Sequence, residues 1–289
     1  MSKWSASRVG CYVSCPLKYK YQYIDKWVSS EPVNNELAYK GLSFHETVEQ
    51  YTSQMSDEDL KKILAVNVEK YKVDIEKYPV DKAIDKFLCF WKRFIKPRED
   101  EGYSILKESW VNGTVKDEAF CGALDLYVSN DKKVEIYDYK TAKTANASRY
   151  KNQLILYAFL EGQSRKWTNK QIAENTVLRV FFPLTEIKDG ETIEESMLKS
   201  VKEIKFTEKD VDDVMNDYYK HNIDVIHATD WEKVTNANGV LSHDCSYCPY
   251  CGSSDNGQGF GGCMKTKAAG FATPDGVTFQ KKTEEKAKV

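Results

Sequence analysis

No run of 18 apolar residues occurs anywhere in these 289 residues, which excludes a membrane-spanning helix. Excess charge is missing too. Lys plus Arg number 42 and Asp plus Glu 44, leaving a net charge of −2. That excludes a histone-like polycation, so any nucleic-acid contact must come from a local basic surface. The first eight residues, Met1 to Arg8, carry no apolar signal region, and secretion is not expected. No G-x-x-x-x-G-K-[ST] loop is present, which argues against a nucleotide-driven motor. Internal repeats are absent as well. What is present is enough apolar material for a core: 41% hydrophobic and 12% aromatic residues exclude general disorder.

Against that background the eight cysteines carry information. In a reducing compartment they read as metal ligands or core residues rather than disulfides. Cys11 and Cys15 lie near the start. Cys89 and Cys121 stand alone and read as small buried hydrophobes. Cys245, Cys248, Cys251 and Cys263 cluster near the end, with the tight spacing of a metal site.

Periodicity divides the chain. Residues 5–27 read as helical, capped by Ser5 or Ser7, and a second helix covers 42–54. Residues 56–98 are helical and charged. Ile84, Phe87, Leu88, Trp91, Phe94 and Ile95 form one apolar stripe, Pro79 separates two helices and Pro97 ends the second. Strands follow at 105–115, 119–128 and 133–139, then a helix at 147–161 and a strand at 177–182. A polar hairpin is expected over 185–206 and a helix over 208–221. The order implies one α/β core with a helical insertion.

The chemistry concentrates between Gly122 and Tyr157. Asp125 lies in one strand. Asp138 ends the next, with Lys140 on its face because strand side chains alternate. If the strands are neighbours, the two carboxylates converge and repel unless a cation lies between them. Mg²⁺ or Mn²⁺ favours such oxygen ligands. A lysine beside that ion can orient or deprotonate water and steady a negative transition state. On the following helix Gln153 and Tyr157 sit one turn apart. His45, taken alone, reads first as an ordinary helix histidine paired with Glu49 at i+4 and only second as a ligand.

Gly122-Ala123-Leu124-Asp125, then Ile136-Tyr137-Asp138-Tyr139-Lys140-Thr141, then Gln153 and Tyr157 resemble the PD-(D/E)XK nuclease superfamily. The likeness is greatest to its RecB-type branch, which includes CRISPR-associated exonucleases and the nuclease domains of bacterial recombination helicases. Gly41-Leu42-Ser43-Phe44-His45-Glu46 fits that branch's upstream histidine. Ser7, Arg8, Tyr12, Cys15, Pro16 and Tyr19 fit its opening segment. The resemblance reaches from Ser5 to about Cys263, although residues 55–100 and 185–240 match in character only.

The resemblance implies a restriction-endonuclease-like mixed sheet flanked by helices, with a helical insertion and a cysteine-rich C-terminal segment. It assigns a nuclease domain to 1–265: insertion about 55–100, catalytic core about 101–183, metal segment 241–265. Residues 266–289 are expected to be a mobile tail. His45, Asp125 and Asp138, with the Tyr139 carbonyl, would hold Mg²⁺ or Mn²⁺. Lys140 would be the catalytic lysine, and Gln153 and Tyr157 would position the DNA backbone or the site. Glu49 is left as a partner behind the ligands.

Some members of the branch hold a [4Fe–4S] cluster, and Cys15, Cys245 and Cys248 fit three of its ligands. The usual last position falls on Ser254 here, so the fourth ligand is Cys263 or Cys251. A local Zn²⁺ site on Cys245, Cys248, Cys251 and Cys263 is the competing reading, and it leaves Cys15 unused. The implied partner is DNA, single-stranded or with free ends, in the cytoplasm of a cell or of a virus-infected host. The implied activity is exonucleolytic hydrolysis of phosphodiesters, with a recombination or helicase partner left unnamed. The alternative is a catalytically idle DNA-end-binding or assembly subunit. The Lys18 to Tyr23 stretch alternates cations with aromatics and suits single strands, or equally an amphipathic helix that buries its tyrosines. Lys92, Arg93, Lys96 and Arg98 fit a solvated helix face.

Overall fold

The computed structural model describes residues 3–29, 36–234, 271–272 and 278–281. Its elements, in chain order, open with helices α1 (Ala6–Ser14) and α2 (Pro16–Tyr19), a π-helical turn (Lys20–Ile24) and strand β1 (Trp27–Ser29). Helices α3 (Glu36–Glu49), α4 (Asp57–Tyr71), α5 (Val80–Phe90) and α6 (Lys96–Asp100) follow. Then come β2 (Ser104–Val115), β3 (Glu118–Ser129), β4 (Val134–Tyr139), α7 (Lys151–Ser164), α8 (Asn169–Asn175) and β5 (Thr176–Phe181). The remainder is α9 (Ile193–Ser200), β6 (Val201–Ile204), α10 (Glu208–Asp213), α11 (His221–Ala228), β7 (Phe271–Ala272) and β8 (Thr278–Lys281).

Two compact units result, one from residues 1–5 and 35–218, the other from 6–34 and 219–289. The larger is α/β, as expected. Its sheet runs β2-β3-β4-β5-β6, with β4 and β5 parallel and the other pairs antiparallel. Helix α7 packs on one face and its Leu154, Ile155, Leu156 and Leu160 are fully buried. On the other face the α5 stripe of Ile84, Phe87 and Leu88 joins Phe44, Leu126, Val128, Tyr137, Tyr139 and Phe181 in one apolar cluster. Phe90 stacks on Phe181 with centroids 4.7 Å apart. Burying one such ring stabilises the fold by roughly 2–3 kcal/mol.

Two expectations are corrected here. Pro97 does not end the helix. A π-helical turn at Trp91–Ile95 hands the chain to α6, whose first turn holds Pro97, where its missing N–H leaves no bond unmade. The polar hairpin over 185–206 is instead helix α9 followed by β6. A capping box starts the helix: Thr192 accepts from the Glu195 N–H while Glu195 accepts from the Thr192 N–H.

In the smaller unit β1, β8 and β7 form a sheet in that order, so the stretch expected as a tail contributes two strands. Helices α1 and α11 pack together, and Tyr19 stacks on Trp231 at 5.4 Å. The Arg8 guanidinium lies over Tyr19 and Tyr23, and its Nε donates to the Tyr19 hydroxyl. Tyr19 and Tyr21 are buried. Of the two readings of Lys18–Tyr23, these two tyrosines follow the amphipathic one. Among the described residues, no helix is long and apolar enough to cross a membrane.

Candidate active site

Helix α3 presents His45 to the sheet because both ends of its last turns are fixed. Phe44 is fully buried in the apolar cluster. The Lys107 ammonium, from β2, donates to the Glu49 and Tyr51 carbonyls at the C-terminal end of α3, where unpaired C=O groups favour a cation. The residue after Lys107 is Glu108, and its backbone is left-handed, with φ 47°. For a non-glycine residue that conformation costs on the order of 1 kcal/mol and marks a position held by its surroundings.

The consequence is visible in the alternation of side chains. Lys107 and Leu126 point to the α3 and α5 face, whereas Gly113 and Gly122 point to α7. Residues an even number apart in a regular strand would share a face. Both strands therefore switch faces between these positions; the offset is the same on either side, Lys107 opposite Leu126 and Ser109 opposite Leu124, and the ladder skips the Glu108–Asp125 pair between them. Glu108 and Asp125 sit at the switch. His45 Nδ1 lies 3.9 Å from Glu108 Oε1 and 3.7 Å from Asp125 Oδ1. One donor atom from each of the three falls within 4.8 Å of the others.

Asp138 follows from the neighbouring register. Leu126 pairs with Tyr137, so one step further sets Asp125 beside Asp138. The Tyr139 N–H donates to Asp125 Oδ2 at 2.5 Å and fixes that carboxylate. Lys140 Nζ donates to Asp138 Oδ1 at 2.9 Å. The second oxygen, Oδ2, is also 2.9 Å from Nζ, yet it is buried and takes no aligned hydrogen bond. From α7, Gln153 Nε2 donates to the Tyr157 hydroxyl at 2.9 Å and reaches Asp138 Oδ1 at 3.4 Å. Tyr157 fits only because residue 122 is glycine: a Cβ there would meet its ring at 2.2 Å.

Electrostatics follow from crowding acids out of water. Burial and the adjacent Asp138 carboxylate push Asp125 up to about 7, against the pull of His45, Lys140 and the Tyr139 N–H. Burial alone would lower the His45 imidazole. The nearby Glu108 and Asp125 carboxylates outweigh it and raise the net value. Burial likewise pulls Lys140 down, and Asp138 and Asp125 more than restore it. A divalent cation would relieve the first two groups at once, holding His45 neutral and Asp125 ionised.

The donors fit such an ion. Bonds of ~2.1 Å put neighbouring ligands ~3 Å apart and opposite ones ~4.2 Å apart. The two separations from His45 fall between those limits. The unbonded Asp138 Oδ2 adds a further oxygen close by.

All the expected core positions are therefore brought together: His45, Asp125, Asp138, Lys140, Gln153 and Tyr157. Tyr139 contributes its N–H, while its ring points into the apolar cluster and its hydroxyl has no hydrogen-bond partner among the described residues. Glu49 is exposed at the end of α3, and its carbonyl is taken by Lys107. Glu108 was not expected. Its signal in the sequence is faint, a lone acid inside the β2 pattern. Cys15 is half-buried and free, and its Sγ accepts the Lys18 N–H at the start of α2. Cys11 lies one turn earlier, with Sγ 3.8 Å from Gln22 Oε1. Cys245, Cys248, Cys251, Ser254 and Cys263, and with them the choice between iron–sulfur and zinc, lie outside the described residues.

The sequence profile of the PD-(D/E)XK nuclease superfamily matches residues 3–252, and the chain belongs to that superfamily. Members of that superfamily are generally phosphodiesterase nucleases that use divalent metals such as Mg²⁺ or Mn²⁺. No curated protein matches the chain.

Proposed function

We propose that this protein is a divalent-metal-dependent DNA nuclease of the RecB-type branch, acting exonucleolytically on single-stranded or frayed ends. The observation that carries the hydrolytic reading is the convergence of His45, Glu108 and Asp125 within 4.8 Å, beside the Asp138–Lys140 pair. His45, Glu108 and Asp125 would hold the ion, with Asp138 as a further ligand. When bound, a divalent cation supplies Lewis-acid stabilisation of the charge that grows on the phosphate.

The chain's own residues do the rest. Lys140, kept charged by Asp138, donates a hydrogen bond to the developing phosphorane oxygen or to the attacking water. Gln153 and Tyr157 hold Asp138 in position from α7, and the Tyr139 N–H holds Asp125. One imidazole among carboxylates favours Mn²⁺ over Mg²⁺, because nitrogen donors suit the softer ion. Preference for ends rests on the likeness to end-processing RecB-type enzymes.

The test is incubation of purified protein with end-labelled linear DNA and covalently closed circles, with and without Mn²⁺. Metal-dependent loss of linear single strands, with circles spared, is the expected result. Equal rates on both would make it an endonuclease. Binding without cleavage in any divalent metal would favour the idle end-binding subunit.

For the cysteines we keep the [4Fe–4S] reading over Zn²⁺, with Cys15, Cys245, Cys248 and Cys263 as ligands and Cys251 as the alternative fourth. The half-buried, free Cys15 thiol and its N–H donor suit a cluster ligand. Protein purified without oxygen should be brown, and Cys15→Ser should lose the colour. A colourless preparation with stoichiometric zinc, indifferent to Cys15→Ser, would show a zinc site.

A further inference from the structure

Two ammonium groups without acid partners among the described residues, Lys40 and Lys143, approach the Tyr78 ring, which the Lys77–Glu36 pair also flanks. Lys40 lies on α3 and is only 6% exposed. Its Nζ sits 4.9 Å from the centroid of the Tyr78 ring. Lys143, in the segment between β4 and α7, places its Nζ 5.7 Å from the same ring. Neither lysine has a carboxylate or other hydrogen-bond acceptor among the described residues. Elsewhere in this unit lysines of comparable reach are paired: Lys61 with Asp85, Lys70 with Glu46, Lys92 with Asp57, Lys151 with Asp210. The nearby Glu36 carboxylate is already engaged by Lys77 Nζ and by the Tyr78 hydroxyl.

The Lys40 side chain is largely covered by the fold, and its ammonium has an aromatic face and a second like charge for neighbours, an unfavourable setting for a cation. Both burial and Lys143 lower the affinity of Lys40 for its proton. The arrangement is the mirror image of two carboxylates facing each other without a cation. It becomes favourable when an anion enters.

Backbone geometry places this pair beside the reaction centre. Gly41, one turn before His45 on the same helix face, lies against Thr141, the residue after Lys140. A Cβ on Gly41 would come within 3.2 Å of the Thr141 hydroxyl. The close approach of α3 to the end of β4 sets Lys40 and Lys143 around the Gly41–Thr141 contact. Lys40 precedes His45 by five residues on α3, roughly 7.5 Å of rise along the axis, and Lys143 follows Lys140 by three residues.

We propose that Lys40 and Lys143 form a phosphate subsite that grips the nucleic-acid phosphate neighbouring the scissile one. This rests on the nuclease reading of the adjacent acids, and it adds a determinant of substrate position. The phosphate could be an internal diester or a terminal monoester, and the same ammonium chemistry serves both.

The experiment uses full-length protein and short single-stranded oligonucleotides in three forms: 5′-phosphate, 5′-hydroxyl, and a methylphosphonate that neutralises the neighbouring internal phosphate. Binding is read by anisotropy in Ca²⁺, and cleavage by KM and kcat in Mn²⁺. Lys40→Gln and Lys143→Gln should each raise Kd and KM about tenfold with kcat little changed, and each should reduce the salt slope of log K by roughly 0.7. Neutralising the gripped phosphate should weaken wild-type binding and leave the variants no weaker than before. Sensitivity to the 5′-phosphate alone would assign the subsite to a terminal group, and sensitivity to the methylphosphonate would assign an internal one.

Unchanged Kd, KM and salt slope in both variants, with cleavage intact, would overturn the subsite and leave the nuclease reading standing. Lysine-dependent binding without cleavage would do the reverse. Should Lys40→Gln fail to fold, the exposed Lys143 and the methylphosphonate arm still decide the question.

Discussion

Strand β4 carries a buried carboxylate on each face, Glu135 on one and Asp138 on the other, and both side chains are 5% exposed. Glu135 receives Arg98 Nε at 2.6 Å, Arg179 Nη1 at 2.7 Å and the Tyr137 hydroxyl at 2.6 Å. Burial pushes its carboxyl up, but these donors outweigh it and the net value falls. On the opposite face Asp138 shares one lysine with Asp125, and where the strands switch faces Glu108 adds a third acid beside His45 from α3. There the net effect on Asp125 is upward. Two acids held largely out of water, Glu135 with its carboxyl pulled down and Asp125 with its carboxyl pushed up, separate a structural acid from a functional one. The first is neutralised by the fold, while the second is left short of positive charge for something the chain does not itself supply.

Replacing one acid on each face should give opposite phenotypes. Asp138→Ala is expected to reduce metal-dependent cleavage by at least about 10³-fold, with circular dichroism and DNA binding retained. Wild-type rates in that variant would remove Asp138 from the site. Glu135→Gln should do the converse. It strands Arg98 and Arg179 without their shared carboxylate and should lower stability by about 3 kcal/mol. The protein that remains folded should cleave at the normal rate, as urea melts paired with assays at 15 °C would show.

Glu108 tests how far the functional face extends. If it is a ligand, Glu108→Gln should weaken Mn²⁺ binding by roughly 10–100-fold, comparable to losing a supporting group at a metal site. The reading is the Mn²⁺-induced rise in melting temperature, which shrinks with affinity by mass action. An unchanged Mn²⁺ titration would reduce the metal set to His45 and the two aspartates.

Much of this asymmetry was legible in the sequence. Short apolar strands and the D-x-K spacing placed Asp125, Asp138 and Lys140 together, because period-2 alternation and an antiparallel pairing leave little freedom. The α5 stripe was equally plain, since each member falls on one helical face. Glu108 was not legible, because alternation assumes a regular strand and the left-handed turn at Glu108 breaks that assumption. Nor was the Glu135 network, whose arginines come from α6 and β5 and meet the carboxylate only through tertiary packing. Helix α9 was hidden for a different reason: its capping box was in the sequence, but its polar flanks resembled a hairpin.

The subtlest expected effect concerns stability without metal. A carboxyl whose folded-state pKa is raised contributes stability that is complete below its unfolded value, near 3.9, and drains away as pH rises through the folded value. For Asp125 that window ends at about 7. Metal-free wild-type protein should therefore lose stability across roughly pH 4–7 on account of this group. Asp125→Asn has no proton to release. It keeps a neutral side chain that can still accept from the Tyr139 N–H, so it should be about as stable as wild type near pH 4. At pH 8 in chelator it should be more stable by about 1–3 kcal/mol. Added Mn²⁺ should reverse the order, because only wild type offers the ligand. Urea midpoints at the two pH values, with chelator and with Mn²⁺, resolve all four states. An Asn variant less stable than wild type at pH 8 in chelator would mean that Asp125 is a satisfied acid like Glu135, and the contrast between the two faces would fail.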